Sequence, residues 1–543
     1  MRFFNTEGPV NCADHYCLPP LSRLDMADVM MLIAQKKYFL LHAPRQTGKT
    51  TCLLALADTL NRERRYRAVY TNIEVAQAAR ENVALGMAAV VEQISRSARD
   101  QIGDKEAVGL AQSIITVSTG TTVVEEFLTR WCQDAPRPTV LLLDEVDALV
   151  GDTLIALLRQ LRAGYPKRPD AFPQSVLLCG VRDLQDYRIQ SSNEKAVITG
   201  GSAFNIKAKS LRLGDFDRRE TEALLLEHTR ETGQIFTPEA LALVWELSAG
   251  QPWLVNALAY AACFDLKSGR DRTQPITAEQ ILAAKEKLIL DRVTHLDQLA
   301  DKLKEPRVRR VVEPILRGDE LDEDATRDDI TYVTDLGLVR RGDHGPQIAN
   351  PIYREVIPRE LTLIAQMNLE AQQRPGWYID ADGRLDLPRL LAAFQQFFRE
   401  NAEIWLERFD YKEAGPQLLM QVFLQRIVNG GGRVEREYGL GRRRTDLLVI
   451  WPISGVRDQE ARVSFQFPAS GIQRVVIELK VLHKSLEATV AEGLAQTWEY
   501  ADRCATDEAH LVIFDRRPGR TWEEKIWTRA EQYNGLAIMV WGM

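Results

Sequence analysis

Residues 42–51, His-Ala-Pro-Arg-Gln-Thr-Gly-Lys-Thr-Thr, have the spacing of a phosphate-binding loop, with Ala43 where the first glycine of the pattern would stand. Such a loop captures anions. The turn through Pro44, Arg45, Gln46, Thr47 and Gly48 aims backbone N–H groups at phosphate oxygens, and the helix that follows adds its N-terminal dipole. Lys49 would reach β- and γ-phosphates, and the hydroxyl of Thr50, with Thr51 beside it, would ligate Mg²⁺. Downstream, Asp144 and Glu145 close the apolar run Val140–Leu143. A carboxylate at a strand's C-terminal end can hold the water shell of Mg²⁺, and the next Glu can orient an attacking water. A helix-capping pair is the plainer meaning of such a dipeptide; the phosphate loop upstream, with one strand between, favours catalysis. Arg182 and Asp183 follow a further apolar run, where a γ-phosphate sensor could sit; a surface Arg–Asp pair opening a loop fits equally well.

A second set lies near the other end. Asp446 starts the run "DLLVIWP", and "RVVIELKVL" carries Glu478 and Lys480. Both runs read as neighbouring strands. Alternation puts Glu478 and Lys480 on one face and Leu479 on the other, the arrangement required for one metal ligand and one catalytic ammonium. Gln496 and Tyr500, four apart in "AEGLAQTWEYADRC", share one face of a predicted helix. "ELK" alone usually means a surface ion pair; an Asp on the preceding strand and the Gln–Tyr helix make the set specific. Glu413, Glu435 and Glu437 compete for the place of a third carboxylate. Arg442–Arg444 adjoin Asp446 and could meet phosphates, although a solvated face is the simpler account of them, as it is of Arg307, Arg309 and Arg310.

These residues need scaffolds. "MLIAQKKYFLLHA" ends in a strand feeding the loop, and "TTCLLALADTL" has helical spacing. "YRAVYTNIE", "TVLLLDEVDAL", "SVLLCGVRD" and "KSLRLGDF" read as further strands, with helices between them that include 80–98 and 152–163. Alternation of strand and helix predicts a parallel, three-layer α/β domain. "DRRETEALLLEHTRETG", "TPEALALVWELSAG" and "QPWLVNALAYAACFDL" are helical, and Gly250-Gln251-Pro252 opens the last of them. A helix, two short strands and a turn through "DDITYVTDLGLVRRGDHGPQIANPIYREVI" fit a winged helix. The expected division is an N-terminal extension (1–24), a nucleotide-binding core (25–215), a helical lid (216–302), a winged-helix-like domain (303–370), a linker (371–386) and a C-terminal domain (387–543).

At 543 residues the chain exceeds one core and suggests about three or four domains. Its 45% apolar and 27% charged residues are ordinary for a globular protein. The net charge of −7 argues against binding nucleic acid by overall charge but leaves room for a local basic groove. No run of about 18 apolar residues and no N-terminal leader pattern is present, so a cytoplasmic protein without a membrane span is expected. The seven cysteines (Cys12, Cys17, Cys52, Cys132, Cys179, Cys263 and Cys504) form no framework and are expected as reduced thiols.

On "HAPRQTGKTT", "LLLDEVD", "LLCGVRD", "GQPWLVN" and "NPIYREVI", the first 360 residues resemble the archaeal-type, STAND-related branch of AAA-like ATPases. That resemblance implies ATP bound between core and lid, Lys49 and Thr50 on phosphate and Mg²⁺, Asp144 on the metal and Glu145 activating water. It transfers no arginine finger, and it leaves a homo-oligomer open. Residues 400–520 resemble the PD-(D/E)XK nuclease superfamily, in its branch with a Q-xxx-Y helix. This implies Mg²⁺ or Mn²⁺ on Asp446 and Glu478, Lys480 beside the attacking water, Gln496 and Tyr500 at the rim, and Arg443 and Arg444 near the scissile strand. The fold class expected is α/β multidomain: an AAA-like P-loop sheet core, helical lid, winged helix and a C-terminal restriction-endonuclease-like domain. The function expected is an ATPase coupled to a metal-dependent nuclease acting on nucleic acid, DNA rather than RNA. The alternative is a nucleotide-dependent switch whose last domain binds without cleaving.

Overall fold

In the computed structural model, residues 1–183, 188–190, 197–199, 205–290, 301–317, 321, 325–342, 345–357, 378–380, 382–408, 420, 424, 433–437, 446–453, 472–482, 485–504, 506, 508–515, 517 and 520–543 are described. The chain forms two compact units, Met1–Thr294 with Thr326–Tyr353, and His295–Ala325 with Arg354–Met543.

The first unit grows around strands that are apolar along their length. In order come α1 (Met26–Ala34), β1 (Tyr38–His42), α2 (Lys49–Arg62), β2 (Arg67–Asn72), α3 (Val83–Ile102), α4 (Glu106–Val117), α5 (Val123–Gln133), β3 (Thr139–Asp144), α6 (Asp152–Gly164) and β4 (Ser175–Gly180). A small pair, β5 (Arg188–Gln190) and β6 (Val197–Thr199), precedes β7 (Lys207–Arg212). β3 and β4 are buried at every residue, as strands covered on both faces must be. The main sheet is parallel in the order β2-β3-β4-β1-β7. Alternation sorts its side chains into two cores. Phe39, Leu41, Val140, Leu142 and Leu177 pack with Leu53, Leu56 and Leu60 of α2. Tyr38, Leu40, Leu141, Leu143 and Leu178 pack under α3 to α6. Each such buried side chain stabilises by about 1.5–3 kcal/mol relative to exposure.

Helices α7 (Arg218–Thr232), α8 (Pro238–Ser248), α9 (Pro252–Tyr260) and α10 (Ala278–Leu290) follow. Asp217 and Glu220 form a capping box on α7, and Thr237 and Gln251 cap α8 and α9. Gly250 has φ +79°, and a Cβ there would lie 2.0 Å from the Phe216 carbonyl, so the turn into α9 admits only glycine. The unit is completed by α11 (Arg327–Asp335) and the antiparallel hairpin β8 (Val339–Gly342) and β9 (Gly345–Ile348).

The expectation of seven free thiols is corrected at Cys12 and Cys17, which are joined by a disulfide. A turn brings them together: the Asn11 carbonyl accepts from the amides of Asp14 and His15. Spacing alone hid this pair because the turn is held by asparagine and histidine side chains rather than by a glycine signal. Cys52, Cys132, Cys179, Cys263 and Cys504 remain thiols.

In the second unit a helix spans Pro306–Arg317, and α12 (Leu387–Arg408) leads to a mixed sheet. Its strands are β10 (Arg433–Glu437), β11 (Asp446–Pro452), β12 (Ile472–Val481), β13 (Glu508–Phe514), β14 (Trp527–Tyr533) and β15 (Leu536–Gly542), with α13 (Leu486–Arg503) between β12 and β13. The order is β10-β11-β12-β13-β15-β14. β10, β11 and β12 are antiparallel neighbours, and β12, β13 and β15 run parallel. Leu387, Leu391 and Phe394 of α12 cover Leu447, Ile477 and Leu479, while Val490, Leu494 and Tyr500 of α13 cover Val476, Leu511 and Ile513. Glu413, Arg442, Arg443 and Arg444 and the first part of the linker, 371–377, lie outside the described residues.

Gly493 lets α13 approach the sheet closely: a Cβ there would sit 2.7 Å from both methyls of Leu511. Gly493→Ala is expected to destabilise the second unit by about 1–3 kcal/mol, the range for overpacking a filled core. Hydrogen exchange should quicken along Leu486–Arg503, and unchanged exchange would refute this packing argument.

Candidate functional sites

The turn after β1 combines two left-handed residues, Gln46 at φ +57° and Gly48 at φ +89°. Successive turn residues of this kind point their N–H groups inward, and α2 starts immediately after them. Arg45 and Gln46 are exposed at the loop's tip, while Thr47 and Lys49 are buried. Thr47 closes the loop from inside, its hydroxyl donating to the Pro44 carbonyl at 2.8 Å. Lys49 Nζ donates to the carbonyls of Ala43 and Pro44 at 2.9 Å each. Arg23, from before α1, donates to the Thr47 carbonyl at 2.5 Å and to the Gly214 carbonyl, and lies over the Phe216 ring.

Asp144 ends β3 fully buried. Its Oδ2 accepts from the Thr50 hydroxyl at 2.7 Å and from the Tyr70 hydroxyl at 3.0 Å, and its Oδ1 accepts from the Glu145 amide at 3.0 Å. A hydroxyl and a carboxylate this close are the hard oxygen donors that Mg²⁺ prefers, so the residues fit that ion. Burial, together with the carboxylate of Asp144, pushes the Tyr70 phenol up. Glu145 adopts φ +56°, a conformation uncommon outside glycine that often marks functional positions. Its carboxyl is raised above the ordinary range by burial first and by Asp147 next, against the opposing charge of Lys49.

Arg182 stands two residues beyond β4, with its guanidinium 4.8 Å from the centre of the Tyr332 ring on α11. The same segment meets the loop elsewhere. His42 Nδ1 is 3.8 Å from Asp335 Oδ1, the Thr334 carbonyl accepts from Arg212, and a Cβ on Gly337 would lie 2.8 Å from Pro44.

Beside the phosphate loop opens a cleft of about 740 Å³, measured with its mouth. Thr47, Gly48, Thr51 and Cys52 line it on the loop side, Leu224, Trp253 and Asn256 also line it, and the N-terminal segment contributes Asn5, Thr6, Glu7, Gly8, Val10, Tyr16, Cys17, Leu18, Pro19 and Pro20. Asn256 is 7% exposed; its amide nitrogen donates to the Pro252 carbonyl, and its Oδ1 has no hydrogen-bond partner among the described residues. Such an oxygen suits an exocyclic amine. Sequence reasoning missed Tyr70 and the N-terminal wall. Tyr70 was inferable from its place near the end of the strand beside β3; the N-terminal residues carry no pattern that signals a wall.

In the second unit, Glu478 is 0% exposed and, among the described residues, neither of its carboxylate oxygens takes part in a hydrogen bond. Lys480 Nζ lies 3.0 Å from its Oε1, close enough for charge attraction but not oriented as a hydrogen bond. Cross-strand register pairs Glu437 with Asp446 and Asp446 with Glu478, setting three acidic positions in one row across β10, β11 and β12. Glu435 pairs with Leu448 instead. Gln496 has a buried Oε1 without a hydrogen-bond partner among the described residues, and Tyr500 sits in the core under α13. Among the described residues no three His, Cys, Asp or Glu side chains gather as a metal site; the side chains of Glu437 and Asp446 are not among those described. The orphaned oxygens of Glu478 are what a divalent cation would satisfy, so this carboxylate fits a metal.

Residues 33–187 match the family model of an AAA domain. In the solved structures, the Walker-type ATPase of Pyrococcus abyssi is similar at 14% identity, covering 65% of this chain and 99% of that one with a TM-score of 0.46. The Aeropyrum pernix ORC2 protein, in ADPNP and ADP complexes, gives 14% identity, 63% and 92% coverage and a TM-score of 0.37. The RuvB Holliday junction branch migration motor of Thermotoga maritima gives 15%, 61%, 93% and 0.32. No curated protein matches. The chain carries an AAA-like, ATP-binding P-loop domain. Among the described residues, no helix is long and apolar enough to cross a membrane.

If Glu145 orients the attacking water, hydrolysis requires it ionised, and the rate should fall as pH drops through its raised pKa. Asp147→Asn removes the second cause of that elevation and should move the acidic limb of the ATPase pH profile to lower pH. An unshifted limb would rule out Glu145 as the titrating group.

Proposed function

We propose that the protein is an ATPase coupled to a metal-dependent phosphodiesterase acting on nucleic acid, DNA in preference to RNA. Lys49 contacts the β- and γ-phosphates, Thr50 and Asp144 hold Mg²⁺, Glu145 positions water, and Arg182 reads the γ-phosphate. Arg182 and Pro44 both contact the segment of α11, β8 and β9, so that segment is the element through which nucleotide state leaves the site. In the second unit, Asp446 and Glu478, with Glu437 as the third carboxylate, bind Mg²⁺ or Mn²⁺. When bound, the cation supplies Lewis-acid polarisation of the phosphate and a more acidic water. Lys480 stands by the attacking water, and Gln496 and Tyr500 support the site from α13.

The observation that carries the second half is Glu478. A carboxylate without hydrogen bonds in a closed interior is costly, and a single ammonium only partly offsets that. A fold keeps such a group where it serves a ligand. The order helix, three-strand meander, helix, parallel strand supports the nuclease resemblance. A cytoplasmic protein that works as a homo-oligomer completes the proposal.

The test is cleavage of supercoiled and linear plasmid with Mg²⁺, with and without ATP. Glu478→Ala should abolish cleavage, and Lys480→Ala should slow it by roughly 10²–10³-fold, the range for losing one preorganised donor. Lys49→Ala should remove ATP dependence while leaving the second site intact. Cleavage by Glu478→Ala at the wild-type rate would refute the nuclease and leave a nucleotide switch that binds without cutting.

A further inference from the structure

The first 24 residues form a strap attached to both sides of the cleft beside the phosphate loop. On the side of α7 and α9, Arg2 pairs with Glu227 and Glu231, the Tyr16 hydroxyl meets His228 Nδ1 at 3.1 Å, and the Thr6 carbonyl accepts from Trp253 Nε1 at 2.9 Å. On the loop side, the Val10 amide donates to Thr51 Oγ1 at 3.0 Å, and the Pro20 carbonyl accepts from Cys52 Sγ at 3.0 Å. Thr51 follows directly on the proposed Mg²⁺ ligand Thr50. Between these anchors the chain reverses at Asn11–His15, and the Cys12–Cys17 disulfide closes the reversal. Cys17 and Val10 line the cleft, whereas Cys12 is exposed.

We infer that the Cys12–Cys17 disulfide is a redox clasp on the nucleotide site: closed, it holds the strap as a wall of the cleft that receives the base, and reduced, it releases that wall and weakens nucleotide binding. This rests on the reading of the phosphate loop as an ATP site. The physical reason is preorganisation. A short covalent loop removes open conformations of the strap, and the apparent affinity of a site scales with the fraction of molecules in the competent conformation. Position matters as much as the bond, because the bridged loop contains the Tyr16 anchor at His228 and lies between the Val10 anchor at Thr51 and the Pro20 anchor at Cys52.

Reduction is by a dithiol. Its thiolate attacks the exposed Cys12 sulfur, the S–S bond breaks, and Cys17 leaves as a thiolate that takes up a proton. The second thiol of the reductant then displaces Cys12, so two electrons and two protons pass to the cysteines and the reductant closes to its own disulfide. Cys52 lines the same cleft, but burial pushes its thiol up to about 11, so it remains protonated and does not exchange with the bridge.

The experiment is calorimetric titration of the full chain with ATP and Mg²⁺, oxidised and after dithiothreitol. Reduction should weaken binding roughly tenfold, the scale of one short crosslink's conformational restriction. The Cys12→Ser/Cys17→Ser double variant should bind with the weaker affinity whether or not dithiothreitol is present. The wild-type comparison needs no substitution, so it stands even if the variant folds poorly. Equal affinity in the oxidised and reduced wild type overturns the clasp and leaves the ATP site standing. No binding in either state, with Lys49→Ala equally silent, overturns the clasp and the ATP reading together.

Discussion

The hydrogen bond from the Thr50 hydroxyl to Asp144 Oδ2, 2.7 Å long and spanning 94 residues of sequence, is the contact on which the first unit's chemistry turns. It forms because β1 and β3, which flank β4 in a parallel sheet, end at the same edge. Parallel strands with helices on both faces bring all their C-terminal ends to one edge, where ligands bind in folds of this kind. Tyr70 at the end of β2, Glu145 after β3 and Arg182 after β4 gather there for the same reason.

The second unit poses the opposite electrostatic problem. There the sheet interior holds a carboxylate that, among the described residues, has an ammonium beside it but no hydrogen bond. Leu479 and Ile477, on the other face of β12, join the core under α12, while Glu478 is held by strand alternation on the side of Val476. Lys480 is its adjacent counter-charge.

Much of the first unit was legible because its signals are local. The strands β1, β3 and β4 are continuous apolar runs, and Pro238 and Pro252 sit just inside helix starts behind the capping residues Thr237 and Gln251. The disulfide was not legible, since two cysteines five residues apart are ordinary until a turn is known to join them. Nor was it legible which of Glu435 and Glu437 lies opposite Asp446. Glu435 and Glu437 have the same character in sequence, and only the pairing of β10 with β11 places Glu437, not Glu435, opposite Asp446.

By itself the sequence determined the phosphate-loop spacing, the periodicity of strands and helices, and the Glu478–Lys480 alternation, because each depends on residues within a few positions of one another. Only the tertiary structure decided that Tyr70 and Thr50 share Asp144, that the N-terminal segment walls the cleft, and that α11 with its hairpin rests on Pro44 and Arg182. Those contacts join residues tens to hundreds of positions apart, and what brings them together is sheet order and the burial of apolar faces, which no short window of sequence contains.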